Sequence, residues 1–196
     1  MITLFSLPTK ALTTRAAILD RAVQIASMEG LEGLTIGRLA EELGMSKSGL
    51  FAHFGSKLDL QLATVEAASR RFYEEVIAPA QRAPEGGERL RSYCDLYLRF
   101  LEREVFAGGC FWAAVSTEFD DRPGPVRDAV KEGVSAWLTE LERHAELLGS
   151  KEPAALAFEI YSLGLGANAY SRLLSDREAF TRARRSIDRR LENRSP

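Results

Sequence analysis

Near its N-terminus the chain carries helical periodicity that is cut at short, regular intervals, and this punctuation restricts the fold more than any other feature. From Thr14 to Glu29 the apolar residues Ile18, Ala22, Ile25 and Ala26 share one side of a helix, and Gly30 is placed to end it. Thr35 can cap a second helix, in which Ile36, Leu39, Ala40 and Leu43 follow the i, i+3, i+4, i+7 pattern, and Gly44 stops it. Ser46 can cap a third helix, closed by Gly55. Ser56 opens a longer fourth, with Asp59 three residues on as a short capping-box partner. No strict alternation of apolar and polar residues persists beyond a few positions, so the expected fold class is all-α.

The third helix is unusual. The stretch MSKSGLFAHFGSK (Met45 to Lys57) has too few apolar residues to be buried all round, and it begins with small polar ones. Leu50 and Phe54 form an i, i+4 pair that can anchor it onto Ile36, Leu39 and Leu43. A helix, a glycine turn and a second short helix of this kind make a helix-turn-helix, whose recognition helix enters a major groove about 12 Å wide by its N-terminal end. Ser46, Lys47, Ser48, Gly49, Phe51 and His53 are then the residues free to face DNA. The small ones let the backbone approach. Lys47 suits a guanine edge or a phosphate, the serines and His53 suit phosphates or base edges, and Phe51 suits a sugar or a thymine methyl. Thr35 and Lys57 open the flanking helices, where backbone N–H groups favour phosphate. Thr35 and Ser46 also read simply as caps, and His53 as a surface residue.

Charge gives no global support for nucleic acid: 26 basic residues stand against 28 acidic ones, a net −2. Any such function rests on local placement.

At these residues the chain resembles the TetR family of transcriptional regulators. The resemblance runs from Thr14 to Leu60 and is carried by T-I-x-x-L-A-x-x-L-G-M-S-K (Thr35 to Lys47) and L-F-x-H-F-x-S-K (Leu50 to Lys57). Phe51 departs from the family's usual Tyr, so one hydroxyl contact to phosphate is missing. The resemblance implies an N-terminal arm and helix-turn-helix domain over residues 1–56. It also implies a helical ligand-binding and dimerisation domain over 57–196, whose last two helices form a four-helix bundle across a two-fold axis.

The residues beyond Ser56 support long helices independently. Stripes are expected at Leu58, Leu62, Val65, Phe72 and Val76; at Leu90, Tyr93, Cys94, Tyr97 and Leu101; at Trp112, Val115 and Phe119; and at Val126, Val130, Val134, Trp137, Leu141 and Leu148. Ala157, Gly164 and Ser171 recur every seven residues as a seam of small side chains. With Phe180 and Ile187 from the last helix they form the expected dimer interface. The arginines of that helix read as a solvated face. Asn168 reads as a polar group pairing across the dimer.

The middle helices are rich in aromatics, the kind of side chain that lines apolar pockets. Tyr97, Trp112, Trp137 and Tyr161 are candidate ligand contacts, with His144 on the same stripe as Trp137. Cys110, in AGGCFW, stands at a helix N-terminus that would stabilise a thiolate. The expected effector is a small apolar or aromatic molecule. A charged one would need a buried partner, for which Glu118, His144 and Glu159 are available.

Two cysteines are too few for a disulfide scaffold and suit a reducing cytoplasm. MITLFSLPTK lacks a signal-peptide pattern and reads as a loose arm. The segment from Pro153 to Ser171 holds one charge, Glu159, yet with Asn168 and its glycines it reads as a bundle helix and not a membrane span. No HExxH, P-loop or Glu-x-x-His pair is present, so no metal, cofactor or catalytic residue is expected. The expected function is a homodimeric repressor on a palindromic double-stranded operator, released by a small-molecule effector. An all-α enzyme and a helical adaptor for another protein are the alternatives.

Overall fold

A computed structural model describes residues 9–192, with side chains from Thr14 onward. The arm expected at the N-terminus lies outside the described residues, except that Thr9 and Lys10 already belong to the first helix. Helix α1 (Thr9–Glu29) thus starts earlier than its apolar periodicity indicated, because nothing between Thr9 and Thr14 breaks a helix.

Helices α2 (Ile36–Glu42) and α3 (Lys47–Phe54) follow, then α4 (Lys57–Phe72). Thr35, Ser46 and Ser56 are the N-caps: their hydroxyls accept from the backbone N–H groups of Arg38, Gly49 and Asp59. Gly30 and Gly44 end α1 and α2 at φ of +77° and +62°, a conformation that costs other residues energy. Leu50 and Phe54 are buried and hold α3 down, while the guanidinium of Arg15 on α1 stacks 5.2 Å above the Phe54 ring.

α4 does not stop at Phe72. It widens into a π-helical turn, Tyr73–Ile77, and continues through Ala78–Ala80. Its buried stripe also departs from expectation. Leu60, Thr64, Ala68 and Phe72 face inward at i, i+4 spacing, whereas Leu58 is 42% exposed.

The rest of the chain forms α5 (Gly87–Glu102), α6 (Phe111–Phe119), α7 (Pro125–Leu148), α8 (Pro153–Leu173) and α9 (Ala179–Glu192). α8 packs between α7 and α9, and α5 closes over α7, α8 and α9. α6 packs against α1 on one side and α7 on the other. The core between these helices is aromatic. Phe72 meets Trp137 and Phe100 edge-on at 5.1 and 5.4 Å, and Trp137 meets Tyr93 and Tyr97 at 5.5 Å. Among the described residues, no helix is long and apolar enough to cross a membrane.

Candidate nucleic-acid interface and effector cavity

The outer face of α3 presents Ser46, Lys47, Ser48 and Phe51 to solvent, with Gly49 and His53 half-buried beside them. Phe51 is 52% exposed, a large apolar side chain left uncovered on a helix that its neighbours Leu50 and Phe54 anchor. Ser46 Oγ accepts from Gly49 N at 3.0 Å and stands 3.3 Å from Ser48 Oγ. Thr35 Oγ1 accepts from Arg38 N at 3.2 Å. Both cap hydroxyls are therefore committed to helix ends as well as exposed. Lys47 lies along α2, its Cε 3.3 Å from where a Cβ on Gly37 would stand, and among the described residues no carboxylate pairs with it.

Two acids of α1 and α2 are held in ion pairs. Arg38 binds Glu29 and Glu42, and Arg21 binds Glu42. Hydrogen bonds from Arg38 and Arg21 hold the Glu29 and Glu42 carboxyls below their usual range. Lys57, expected on the DNA face, is turned elsewhere: its Nζ donates to Glu32 Oε2 at 2.9 Å and to the Glu32 carbonyl at 3.1 Å. The hydrogen bond from Lys57 lowers the Glu32 pKa.

Lys57 belongs to a junction that sequence reasoning did not find. The turn Gly30–Glu32 is gripped from both neighbouring helices. Glu118 of α6 accepts from Leu31 N at 2.7 Å and from Glu32 N at 2.8 Å. Gln61 of α4 donates to the Leu31 carbonyl at 2.9 Å. Glu118 is thus a backbone clamp and is turned away from the helical core where a ligand would sit. Next to it, Gln24 bridges the Val105 carbonyl and Ala107 N, and Gly108 N donates to Ser27 Oγ. Gly108 approaches α1 so closely that a Cβ there would stand 1.8 Å from the Ser27 carbonyl oxygen. The contacts to α6 and the loop before it span more than eighty residues in sequence, and those to α4 at least 25, so no local pattern signals them.

In the larger part, a cavity of about 530 Å³ opens between α4, its π turn, α6 and α7. Trp112 and Trp137 line it together with Phe72, Tyr73, Glu66 and Glu140. The Trp112 ring fits there because position 133 is glycine; a Cβ would stand 2.4 Å from its Cη2. Tyr97, Cys110 and Tyr161, expected with the tryptophans, do not line this cavity. Tyr97 and Cys110 are buried, and Tyr161 is half-buried. Burial pushes the Cys110 thiol up to about 11, which removes the thiolate expected from its place at the start of α6. His144 is fully buried away from the cavity, its Nδ1 accepting from Gly86 N at 3.1 Å. It packs as a core histidine held by a backbone amide. Tyr97 Oη and Trp137 Nε1 are buried with no hydrogen-bond partner among the described residues.

The expected interface residues are also placed differently. Ala157, Gly164, Phe180 and Ile187 are buried within the single chain, and Ser171 is half-buried. Gly164 faces Tyr97, whose Cε1 would lie 2.2 Å from an added Cβ. Asn168 packs on Gly109 of the same chain. The seam of small residues serves the chain's own α5–α8 packing. The face of α8 and α9 left open carries Phe158, Ser162, Gly166 and Tyr170, and bounds a groove of about 760 Å³. Glu159 sits at its edge, ion-paired with Arg190.

A helix-turn-helix with an exposed recognition helix, joined through a gripped turn to a helical domain with its own cavity, defines the class of helical DNA-binding regulators. The chain belongs to the TetR family. Residues 18–64 match the model of bacterial regulatory proteins of the tetR family, and residues 86–187 match the tetracyclin repressor-like C-terminal domain. The HTH-type transcriptional repressor AcnR of Corynebacterium efficiens is 37% identical over 67 residues, which is 34% of this chain and 36% of that protein. The chain therefore matches about a third of the length of this curated relative. Among solved structures, a TetR transcriptional regulator from Chloroflexus aurantiacus superposes with a TM-score of 0.84 at 20% identity, covering 95% of this chain and 98% of the other. AibR, in complex with isovaleryl coenzyme A and operator DNA, gives 0.68 at 20% identity, covering 88% and 95%. At such identities the likeness is one of fold.

Proposed function

We propose that the protein is a cytoplasmic, homodimeric transcriptional repressor without enzymatic activity, which binds a palindromic operator and leaves it when a small molecule enters the helical domain. The single observation that carries this reading is the face of α3. Ser46, Lys47, Ser48 and Phe51 are exposed together, and Arg21 and Arg38 pair with Glu29 and Glu42. Residues 1–56 form the DNA-binding domain and 57–196 the domain for effector and partner.

The partner is a second copy, held through the open face of α8 and α9, where Phe158 and Tyr170 stand 68% and 55% exposed. Two copies set two recognition helices toward successive major grooves about 34 Å apart. An effector that favours another spacing shifts the population off the operator. The effector is a largely apolar or aromatic molecule, in keeping with a cavity walled by Phe72, Trp112 and Trp137. The bound ligand and operator of AibR support the two-site arrangement.

The test is footprinting of the DNA immediately upstream of the protein's own coding region. Protection of an inverted repeat, weakening steeply as salt rises, is the expected result. Protein that shows no preference for that DNA over random sequence would rule the reading out.

A further inference from the structure

The cavity between α4 and α7 has walls of one chemical kind and a rim of another. Phe72, Tyr73, Trp112 and Trp137 supply aromatic surface. Glu66 and Glu140 supply two carboxylates, and Arg70 a guanidinium among the lining residues. Arg70 is already engaged, since its Nη2 lies 2.9 Å from Glu66 Oε1. That pair is exposed, at 57% and 67%, so it is weak and exchangeable. Glu140 is fixed more firmly. Tyr93 donates to its Oε2 at 3.0 Å, and Arg143 and His144 approach the same oxygen from behind at 3.5 and 3.8 Å. Its side chain keeps 34% of its surface open.

We infer that this cavity takes an organic monocation, an ammonium head on an apolar or aromatic body. The inference rests on the proposed reading of the cavity as the effector site and goes beyond it by giving the ligand a charge. Aromatic faces attract a cation through their quadrupole, most strongly when the site is partly desolvated. The carboxylates of Glu66 and Glu140 line the cavity with Arg70 and Arg143 as their partners, so they add hydrogen-bond acceptors and local attraction for a cationic head and not a net charge. The body of the molecule replaces water against Trp112, Trp137 and Phe72, while the head stays near the half-open rim formed by Glu66, Glu140 and the exposed ring of Tyr73. Tyr73 begins the π-helical turn, and a widened turn at a cavity wall is a frequent feature of functional sites.

The chain provides its own readout. Its two tryptophans, Trp112 and Trp137, both line this cavity, so the intrinsic emission of the whole protein reports on it. The full-length protein is titrated with phenyltrimethylammonium and with tert-butylbenzene, its neutral isostere, at equal concentrations. The cation should change the emission at roughly tenfold lower concentration. Glu140→Gln and Glu66→Gln should each reduce that preference, Glu140→Gln the more, with thermal melting of each variant showing that it is folded. Equal response to both probes, a stronger response to the neutral one, no response to either, or an unchanged preference in both variants would overturn the assignment. Release of the upstream DNA is scored separately. A cation that binds with the expected preference yet leaves the DNA bound would sink the effector-site reading and leave the ligand chemistry standing.

Discussion

Lys47 illustrates what single residues decide in this protein. Its stem lies against Gly37 and its ammonium has no carboxylate partner among the described residues, so its charge is available to DNA. Lys47→Ala should weaken binding to the upstream inverted repeat by about 1–3 kcal/mol if the side chain reads a base edge. Competition gel shifts against random DNA check this, since equal loss on both would make it a phosphate contact. The types and spacing of Thr35, Ser46 and Lys47 were legible, because caps and an exposed lysine are local properties. The commitment of Lys57 was not, because its partner Glu32 lies 25 residues away. His144 carries a second residue-scale prediction. Burial lowers its pKa below the usual 6.5, so as pH falls the unfolded chain takes up a proton that the folded chain resists. Its contribution to stability is complete above the unfolded value and is lost as pH drops through the lowered folded one. Thermal melts between about pH 7.5 and about pH 5.5 should show wild type losing stability. His144→Asn, whose amide oxygen can accept from Gly86 N without titrating, should lose less.

At the scale of elements, apolar periodicity located the helices, and capping residues with glycines located the ends of the short ones. The π turn at Tyr73–Ile77 was not visible, since Tyr-Glu-Glu-Val-Ile suits an α-helix equally well and tertiary packing sets the wider turn. The seam of Ala157 and Gly164 was seen, but period alone does not say which neighbour a small-residue face meets. Here it meets Tyr97 of α5. The loop before α6 had one legible clue, the glycine pair in AGGCFW, whose reason is the approach of Gly108 to the backbone of α1. Gly108→Ala should cost about 2 kcal/mol or more of stability, because the colliding atom is backbone and cannot turn aside. Urea denaturation measures it, and an unchanged midpoint would mean that the loop does not sit on Ser27 in solution.

At the scale of the whole molecule, the proposed dimer rests on the open face of α8 and α9. Phe158→Glu places a charge in the groove without touching the chain's own core, since Phe158 is 68% exposed. Sedimentation should show the variant as monomer, with helical circular dichroism unchanged and binding to the upstream repeat lost. A dimer that persists would move the interface elsewhere.

The helix α6 has Trp112 on the cavity and, six residues on, Glu118 on the Gly30–Glu32 turn, a span of roughly 9 Å of rigid rod. Letting go of that turn means giving up two carboxylate-to-amide hydrogen bonds, about 3–6 kcal/mol together. A ligand of micromolar affinity brings roughly 8 kcal/mol and a millimolar one roughly 4. Only the difference in affinity between the gripped and released forms acts on the rod. On the proposed reading, an occupant of the cavity would loosen the turn only by binding the released form more tightly by about those 3–6 kcal/mol, however tightly it binds overall. The clamp would then act as a noise filter: molecules that fit both forms equally well leave the turn gripped, whatever their abundance.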